Sequence, residues 1–400
     1  MSIYKGLSYR SNQPSKIVAN SAPVRRTFVA ITTGARAGGE VGLRYARRTT
    51  PVKDGYALEY ELFGRSYLAV AVLVNWLITG GCGFIGTAMI RSLTEEGGHG
   101  VRVVDNLSVG TRQDLAAAAD FVEVSSGELG PVGSGERVEL VAGDITDEDL
   151  ALRAARGADV IVHFAANTGV MPSVEDPRAD CMSNVVGTLN YLEAARHAGV
   201  GRFVFASSGG TVIGEAEPPI HEEMVPHPVA PYGASKLAGE GYCSAYFQTF
   251  GIETVALRFG NVYGPLSGHK NSVVARFIKR AVDGEVLEIY GDGTQTRDFI
   301  FVDDLIRAVR LSATVDGAGG EVFQIATSAE TTVQELTDRL LPALASSGID
   351  GIEVRKTAAR RGEVRRNYAD TSKAHRMLGW RAEVGLDEGL KRTVDWFVKE

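Results

Sequence analysis

The feature that most constrains the fold is a glycine-rich turn between an apolar strand pattern and a helical pattern. The run AVLVNWLI (residues 71–78) is short and apolar, which is typical of a buried strand. TGGCGFIG follows, with glycines in the spacing GxxGxxG at Gly80, Gly83 and Gly86. Apolar residues then recur every four positions up to Gly97, which predicts a helix. Such glycines let a pyrophosphate approach the backbone, and the helix N-terminus offers it free N–H groups. The turn therefore predicts dinucleotide binding.

A carboxylate after the second strand pattern narrows the choice of dinucleotide. The pattern GVRVVD ends at Asp105, nineteen residues after Gly86. A carboxylate there accepts hydrogen bonds from both ribose hydroxyls of an adenine dinucleotide and repels a 2′-phosphate. Because no arginine follows directly, we expect NAD rather than NADP. The alternative is an ordinary glycine turn with a solvated aspartate.

Alternating strand and helix patterns continue along the chain and predict a Rossmann-type, doubly wound parallel α/β sheet. The further strand patterns are RVELVAGD, ADVIVHFAA, GRFVFASS and IETVALRFG. Sites in such sheets lie at the carboxyl ends of the strands. We expect residues 74–264 to form the NAD-binding domain, with residues 297–312 returning to it. Residues 265–400 alternate less regularly and predict a smaller mixed α/β substrate lobe.

The composition argues against several classes of function. A net charge of −7 argues against a nucleic-acid partner. The three cysteines are far apart, and the absence of CxxC or Cys/His spacing predicts no metal site and no disulfide framework. Reduced thiols of this kind fit a cytoplasmic protein. The longest apolar run is too short to span a bilayer, so we expect no membrane association.

Residues 1–73 differ from the rest of the chain. Up to Lys53 there are ten Lys or Arg residues and one acidic residue, Glu40, and hydrophobic periodicity is poor. We interpret this extension as disordered or as the product of a misassigned start. A flexible tail without function and an Arg-rich, transit-like segment are the alternatives. We expect it to take no part in the chemistry.

A tyrosine and a lysine four residues apart are candidates for acid–base chemistry. In PYGASK, Tyr232 and Lys236 share one face of a helix opened by Pro231. A phenol has an ordinary pKa of ~10, too high for a base at neutral pH. An adjacent ammonium and a nicotinamide cation both favour the phenolate. With a hydroxyl from the end of the fifth strand pattern, the pair predicts a proton-transfer site beside a hydride acceptor. The alternative has Tyr232 packing at the helix start and Lys236 in solvent.

These motifs, taken in order, resemble the extended short-chain dehydrogenase/reductase family, specifically its NAD-dependent nucleotide-sugar epimerase/dehydratase branch. The resemblance runs from about Val74 to the C-terminus. It is carried by TGGCGFIG, DNLSVGT, GDI, HFAA, NVVGT, SSGGTV, PYGASK, LRFGNVYGP, GDGTQTRDFIFVDDL and RRGEV. It implies a homodimeric enzyme that epimerises a UDP-sugar of the UDP-glucose/UDP-galactose type at carbon 4, through a 4-keto intermediate.

The resemblance also implies roles for individual residues. The pyrophosphate would be wrapped by Gly80, Gly83, Phe84, Ile85 and Gly86. The adenosine ribose would be held by Asp105, Asn106 and Ser108, and adenine would be flanked by Asp144 and Ile145. The dinucleotide would be lined by Ala165 and Ala166. Tyr232 would be the general base, and Lys236 would bond the nicotinamide ribose. Ser208 fits the family's Ser/Thr position, whose hydroxyl would lie beside Tyr232 and contact the substrate. SSGG carries one more residue before Val212 than the common form, so Thr211 is a second candidate.

The substrate diphosphate would be bound by Asn261, Arg297 and Arg361, since an arginine fork suits phosphate geometry. For Arg297 the alternative is a surface ion pair with Asp298. Lys270 is equally compatible with a phosphate, a sugar carboxylate or solvent. His163 lies in an apolar strand pattern without a ligand partner, so we expect a core residue.

One departure from the family pattern bears on the reaction. Sugar 4,6-dehydratases of this branch carry an acidic pair where this chain has Gly209 and Gly210, and a decarboxylase would carry a glutamate there. The missing acids favour epimerisation. Ile213 and Asn167 replace other residues, with consequences for local packing and sugar preference. The alternative functions are another NAD-dependent oxidoreductase or dehydratase of nucleotide sugars, and a non-catalytic dinucleotide-binding module.

Overall fold

A central sheet of eight parallel strands organises the chain. The computed structural model describes the backbone of residues 44–52, 55–62 and 65–72, and residues 74–133, 137–358 and 365–399 in full. The strands are β1 Arg44–Val52, β2 Gly55–Leu62, β3 Arg65–Val72, β4 Asn75–Thr79, β5 Gly100–Asp105, β6 Phe121–Glu123, β7 Val138–Ala142, β8 Val160–His163, β9 Arg202–Ser208, β10 Glu253–Phe259, β11 Asn261–Tyr263, β12 Leu287–Tyr290, β13 Thr296–Arg297, β14 Phe299–Phe301, β15 Val322–Ile325, β16 Thr331–Thr332 and β17 Val354–Thr357.

Helices connect most of these strands. They are α1 Phe84–Glu96, α2 Arg112–Ala118, α3 Glu148–Ala154, α4 Val170–Glu175, α5 Pro177–Cys181, α6 Gly187–Ala198, α7 Gly209–Ile213, α8 Pro231–Phe250, α9 Val273–Val282, α10 Val302–Thr314, α11 Val333–Ser346, α12 Ser372–Leu378 and α13 Leu386–Phe397. A 3₁₀ turn occupies Ser126–Glu128, and a π-helical turn, Met182–Val186, leads into α6. None of the described helices is long and apolar enough to cross a bilayer.

The order of the central sheet is β15-β10-β9-β8-β4-β5-β7-β6. After β4 the chain builds outward on one side through β5 to β7, and it then crosses to the other side with β8. Strand β4 therefore lies at the point where the connections diverge, and a crevice opens there outside the carboxyl ends of the strands. This confirms the predicted doubly wound α/β fold and places the glycine turn, which follows β4, at the crevice.

The apolar runs of the sequence become strands because helices cover both faces of the sheet. All six residues of β5 are buried, as are all four of β8. Leu77, Ile161 and Phe203 pack in one core cluster with Leu150 of α3 and Leu192 of α6. The core thus holds the strand ends at fixed positions along one edge of the sheet.

Several elements differ from the sequence expectation. The first strand of the central sheet, β4, begins at Asn75 rather than at residue 71, because residues 71 and 72 belong to β3. Strand β6 adds an edge strand beside β7. Strand β15 comes from the segment assigned to the substrate lobe, yet it pairs with β10. Most of the extension at residues 1–73 lies outside the described residues. Its described part is the antiparallel sheet β1-β2-β3, which poor periodicity did not predict.

The remaining C-terminal strands form short pairs, β11 with β14, β12 with β17 and β13 with β16. Strand β11 follows β10 after one residue, and β14 leads directly into α10. These pairs place Asn261 and Arg297 near the carboxyl ends of the central strands.

Candidate active site

The glycine turn is shaped by close backbone approaches. Gly80 has φ +70°, and a Cβ on it would lie 2.7 Å from the backbone nitrogen of Ala165. A Cβ on Gly86 would lie 2.3 Å from the carbonyl oxygen of Gly80. Side chains at these two positions would therefore force β4, α1 and the segment after β8 apart. Glycine is required at position 80 by the left-handed backbone and by packing, and at position 86 by packing.

The start of α1 is suited to a pyrophosphate. Gly83 is the N-cap residue, no side chain caps the helix, and no acidic residue lies in the first turn. The first backbone N–H groups and the positive end of the helix dipole are therefore directed at the crevice, and no acidic side chain of the helix's own first turn competes for them. The residues present fit the pyrophosphate of NAD.

Asp105, the residue predicted to bind the adenosine ribose, ends β5 beside the glycine turn. Its Oδ2 accepts a hydrogen bond from Cys82 N at 2.9 Å, and its Oδ1 accepts one from Leu107 N at 2.8 Å. Each oxygen retains a lone pair for a ribose hydroxyl. Burial raises the pKa of this carboxyl, while the two backbone donors act in the opposite direction. Asn106 Nδ2 donates to Asp144 Oδ2 at 2.8 Å, so the predicted ribose and adenine residues lie together.

The other predicted cofactor residues divide into two groups. Ser108 is exposed beside Asn106, and its N–H donates to Asn106 Oδ1 at 3.1 Å. Ile85, Ala165 and Ala166 are half-buried along the crevice side of the turn and the segment after β8. Phe84 and Ile145 are instead buried, so their side chains pack into the protein. Hydrophobic burial decides their orientation, and this leaves their backbone groups for any contact with the cofactor.

Tyr232 and Lys236 lie in the first two turns of α8, which Pro231 opens. Lys236 Nζ donates to the carbonyl oxygen of Ala206 in β9 at 2.9 Å and lies 5.8 Å from the centre of the Tyr232 ring. An ammonium has three donors, so two are left for a ribose. No described residue hydrogen-bonds the phenol oxygen of Tyr232. The helix thus places a phenol and an ammonium side by side near the end of β9.

The electrostatics of this pair differ from the sequence expectation. Burial raises the pKa of Tyr232 to about 12, and the carboxylate of Asp180 acts in the same direction. Burial also lowers the pKa of Lys236 to about 8. The neighbouring ammonium alone therefore does not lower the phenol pKa in the protein without ligand. The positive charge of an oxidised nicotinamide is needed to favour the phenolate.

Both candidate hydroxyls line one cavity of about 310 Å³ at the ends of β9 and β15. Ser208 ends β9 and is half-buried, whereas Thr211 lies in α7. The hydroxyl of Thr211 is buried and has no hydrogen-bond partner within the described ranges. Gly209 and Gly210 line the same cavity. The structure thus brings Ser208, Thr211 and the glycine pair to one site.

Asn261 and Arg297 line this cavity and also a second one of about 210 Å³. The second cavity contains aromatic side chains, Phe277 and Tyr290, beside the start of α9. Arg297 Nη1 donates to Thr296 O at 2.7 Å. The two cavities therefore meet at an amide and a guanidinium. Arg361 lies outside the described residues.

The carboxylate of Asp298 has a structural role. It accepts hydrogen bonds from the N–H groups of Thr327, Ser328 and Ala369, and from the Thr327 hydroxyl. These bonds tie the strand containing Arg297 to the segments around residues 327 and 369. His163 is also structural, as expected: it is fully buried, and its two ring nitrogens hydrogen-bond Thr79 and Thr188 at 2.9 and 3.2 Å.

Four polar residues of the site, Asp180, Asn184, Gln324 and Asn367, are not among those that the sequence motifs predict. Asn184, in the π-helical turn, is buried and bonds Asn167, Asp180 and Ser235 of α8. Gln324 and Asn367 line the 310 Å³ cavity beside the glycine pair. A glutamine within the otherwise apolar strand pattern of β15 was an available signal for Gln324. Asn184 opens the motif NVVGT, which was an available signal as well, whereas Asp180 and Asn367 carried none.

The fold and the site define a class: a dinucleotide-binding α/β enzyme with a Tyr–Lys pair at the edge of a parallel sheet. Residues 76–326 match the NAD dependent epimerase/dehydratase family, and the chain belongs to that family. It is an NAD-dependent nucleotide-sugar enzyme of the epimerase/dehydratase type.

The similar proteins include both 4-epimerases and 4,6-dehydratases. The chain is 37% identical over 325 residues to UDP-glucose 4-epimerase of Mycolicibacterium smegmatis, covering 80% of this chain and 97% of that protein. The crystal structure of UDP-glucose 4-epimerase from Thermotoga maritima with UDP-glucose is 36% identical, with a TM-score of 0.72, and covers 81% of this chain and 99% of that one. The dTDP-glucose 4,6-dehydratase DesIV of Streptomyces venezuelae, solved with NAD bound, is 35% identical, with a TM-score of 0.71, covering 81% and 97%.

Proposed function

We propose that this chain epimerises a UDP-hexose at carbon 4, using bound NAD and a 4-keto intermediate. The observation that carries the proposal is the pair Gly209 and Gly210 in the cavity of about 310 Å³. A Cβ on Gly209 would lie 2.7 Å from Gln324 Oε1, and a Cβ on Gly210 would lie 1.9 Å from Asn367 Nδ2. Neutral amides thus occupy the space of the acidic pair that a 4,6-dehydratase carries. Among the described lining residues the carboxyl group is that of Asp298, and the groups of Thr327, Ser328 and Ala369 already hydrogen-bond it, which supports epimerisation over expulsion of a hydroxyl.

The residues of the chain divide the chemistry between them. When bound, NAD supplies a reversible hydride acceptor and a positive charge. Tyr232 takes the proton of the sugar 4-hydroxyl and later returns it, so one group acts as base and then as acid. Lys236 holds the nicotinamide ribose and adds positive charge beside the phenol. Ser208 hydrogen-bonds the reacting oxygen, with Thr211 as the second candidate.

Inversion requires the hexose to turn while its nucleotide stays bound. Asn261 and Arg297, where the two cavities meet, bind the diphosphate, with Arg361 as a further phosphate ligand. The cavity with Phe277 and Tyr290 takes the uracil and its ribose. The hexose then lies in the cavity of about 310 Å³ and turns about its bond to the diphosphate. The glycine pair adds no side chain to obstruct that rotation.

The experiment is product analysis with a matched variant. Purified protein is incubated with UDP-glucose, UDP-N-acetylglucosamine and UDP-glucuronate without added NAD, and products are identified by NMR and mass spectrometry. We expect a 4-epimer of unchanged mass and no stoichiometric release of NADH. Tyr232→Phe removes only the phenol oxygen and should abolish turnover while the protein still retains NAD. A product lighter by one water would select dehydration, and an active Tyr232→Phe variant would refute the mechanism.

The same proposal includes a cytoplasmic homodimer. All three cysteines are free thiols, which fits a reducing compartment. Helix α8 exposes Tyr242 and Phe250, which are 39% and 49% exposed, and these support a helical dimer interface. Size-exclusion chromatography with light scattering tests the dimer, and Tyr242→Glu should convert it to a monomer.

A further inference from the structure

The 310 Å³ cavity contains buried hydrogen-bonding groups that have no partner among the residues the structure describes. Gln324 is 1% exposed and lines the cavity from the carboxyl end of β15, next to β10. Its Nε2 is buried and bonds no group in the part of the chain that the structure describes. The hydroxyl of Thr211, across the same cavity, is also buried without a partner among those residues. Buried polar groups of folded proteins are paired in nearly all cases, so two at one cavity indicate an external partner.

The backbone around Gln324 fixes where its side chain points. Its N–H donates to Glu222 Oε1 at 2.7 Å, and its strand is paired with β10 through Arg258 and Phe259. The carboxamide then lies against Gly209, since a Cβ there would come within 2.7 Å of Gln324 Oε1 and 3.5 Å of Ile220 Cδ1. Glycine at position 209 is what gives the amide room to reach the cavity.

The chemistry of the lining narrows the partner. Among the described residues, the charged ones that line the cavity are Arg297, at its junction with the 210 Å³ cavity, and Asp298, whose carboxylate is bonded to backbone groups. The other polar side chains are hydroxyls and amides: Ser208, Thr211, Asn261, Gln324 and Asn367. Such groups alternate donors and acceptors as the hydroxyls of an uncharged sugar ring do.

We propose that Gln324 is a hexose-binding residue that determines sugar specificity, its carboxamide donating a hydrogen bond to a ring hydroxyl of the substrate while the Thr211 hydroxyl bonds the same sugar. This inference rests on the proposed function. Because Gly209 and Gly210 have no side chains, the amide of Gln324 is the group that contacts the sugar at that wall of the cavity. Gln324 binds the sugar without exchanging protons with it.

The test separates sugar recognition from nucleotide binding and from folding. The NAD-loaded wild type, Gln324→Leu and Gln334→Leu are titrated calorimetrically with UDP and with UDP-glucose. Gln334 is a half-buried glutamine of α11 that bonds Asp338 and does not line the cavity, so it is the matched control. Loss of one neutral hydrogen bond weakens binding by up to roughly tenfold. We expect Gln324→Leu to weaken UDP-glucose by about that factor and to leave UDP unchanged, with Gln334→Leu unchanged for both.

Deoxy analogues provide a readout that a merely structural role would not change. UDP-glucose lacking single hydroxyls is titrated into the wild type and Gln324→Leu. One position should weaken binding to the wild type and have no effect in the variant, because the partner is already gone. Equal losses for UDP and UDP-glucose in Gln324→Leu, or identical deoxy profiles for the two proteins, overturn the inference. A wild type that binds UDP-glucose no more tightly than UDP and forms no epimer overturns the proposed function itself.

Discussion

A buried ion pair ties the helix that carries Tyr232 to the central sheet. Glu240 of α8 accepts two hydrogen bonds from Arg258 of β10, both at 2.8 Å, and one from Ser207 Oγ of β9 at 2.6 Å. The two charged side chains are 5% and 4% exposed. Ser207 directly precedes Ser208, so the pair holds α8 and the end of β9 in one arrangement. We therefore expect it to support both folding and catalysis.

The magnitude follows from what Glu240→Ala leaves behind. The substitution removes three charge-assisted hydrogen bonds and leaves the Arg258 guanidinium buried without a counter-charge. Removing one partner of a buried ion pair costs about 3–5 kcal/mol. Since folded proteins are stable by only roughly 5–15 kcal/mol, the variant should lose about a fifth of its stability or more. The loss of unfolding free energy comes mainly from the desolvated, unpaired charge. The double variant Glu240→Leu with Arg258→Met has no such charge and should therefore recover most of the lost stability.

Denaturant unfolding followed by circular dichroism, at equal cofactor loading, measures these differences. The control is Glu123→Ala, which breaks a bidentate pair with Arg112 whose side chains are 41% and 52% exposed. Water solvates both charges there, so the unfolding midpoint should not change. The double replacement should recover stability but keep a reduced kcat, because its apolar pair no longer bonds Ser207. The reasoning is refuted if Glu240→Ala matches the control, or if the double variant is less stable than Glu240→Ala.

Two further predictions concern the reacting groups. Burial raises the pKa of Tyr232 to about 12, so in NAD-free protein its tyrosinate absorbance, taken as wild type minus Tyr232→Phe, should develop above the ordinary range. The folded state then keeps a proton that the unfolded state releases between about pH 10 and 12, so stability falls as pH rises through that window. Added NAD should lower the midpoint, and a midpoint below the ordinary value without NAD contradicts the burial argument. For the catalytic hydroxyl, Ser208→Ala should lower kcat about 10²-fold or more, whereas Thr211→Val should mainly raise KM; the reverse pattern would assign the catalytic role to Thr211.

Local patterns were sufficient for the fold class and for the position of the cofactor crevice. The glycine spacing after an apolar strand predicts the turn between β4 and α1, and the structure contains it with Gly80 at φ +70°. Asp105 is at the end of β5, as its position after GVRVVD predicts. The spacing of Tyr232 and Lys236 predicts one helical face, and both lie in the first turns of α8. The roles assigned to these residues in catalysis and binding remain predictions.

Side-chain direction and electrostatics were less accessible from the sequence. Ile145 follows the third strand pattern and is predicted to flank adenine. Its side chain packs against Gly187, where a Cβ would lie 2.6 Å from Ile145 Cδ1. The sequence predicts that the adjacent ammonium and a nicotinamide cation lower the phenol pKa, whereas in the protein without ligand burial raises it. Both outcomes depend on how much protein surrounds the group, which spacing along the chain does not report.

The sequence by itself determined the elements whose cause is local: strands from apolar runs, a phosphate turn from glycines, and a shared helical face from a spacing of four. Only the tertiary structure decided which distant residues meet. Gln324 lies against Gly209 because β15 pairs with β10 and β10 with β9. Asn367 covers Gly210 from near the end of the chain. Backbone preferences act over a few residues, whereas such contacts arise when the whole sheet and its helices pack together, and the lining of the 310 Å³ cavity depends on those contacts.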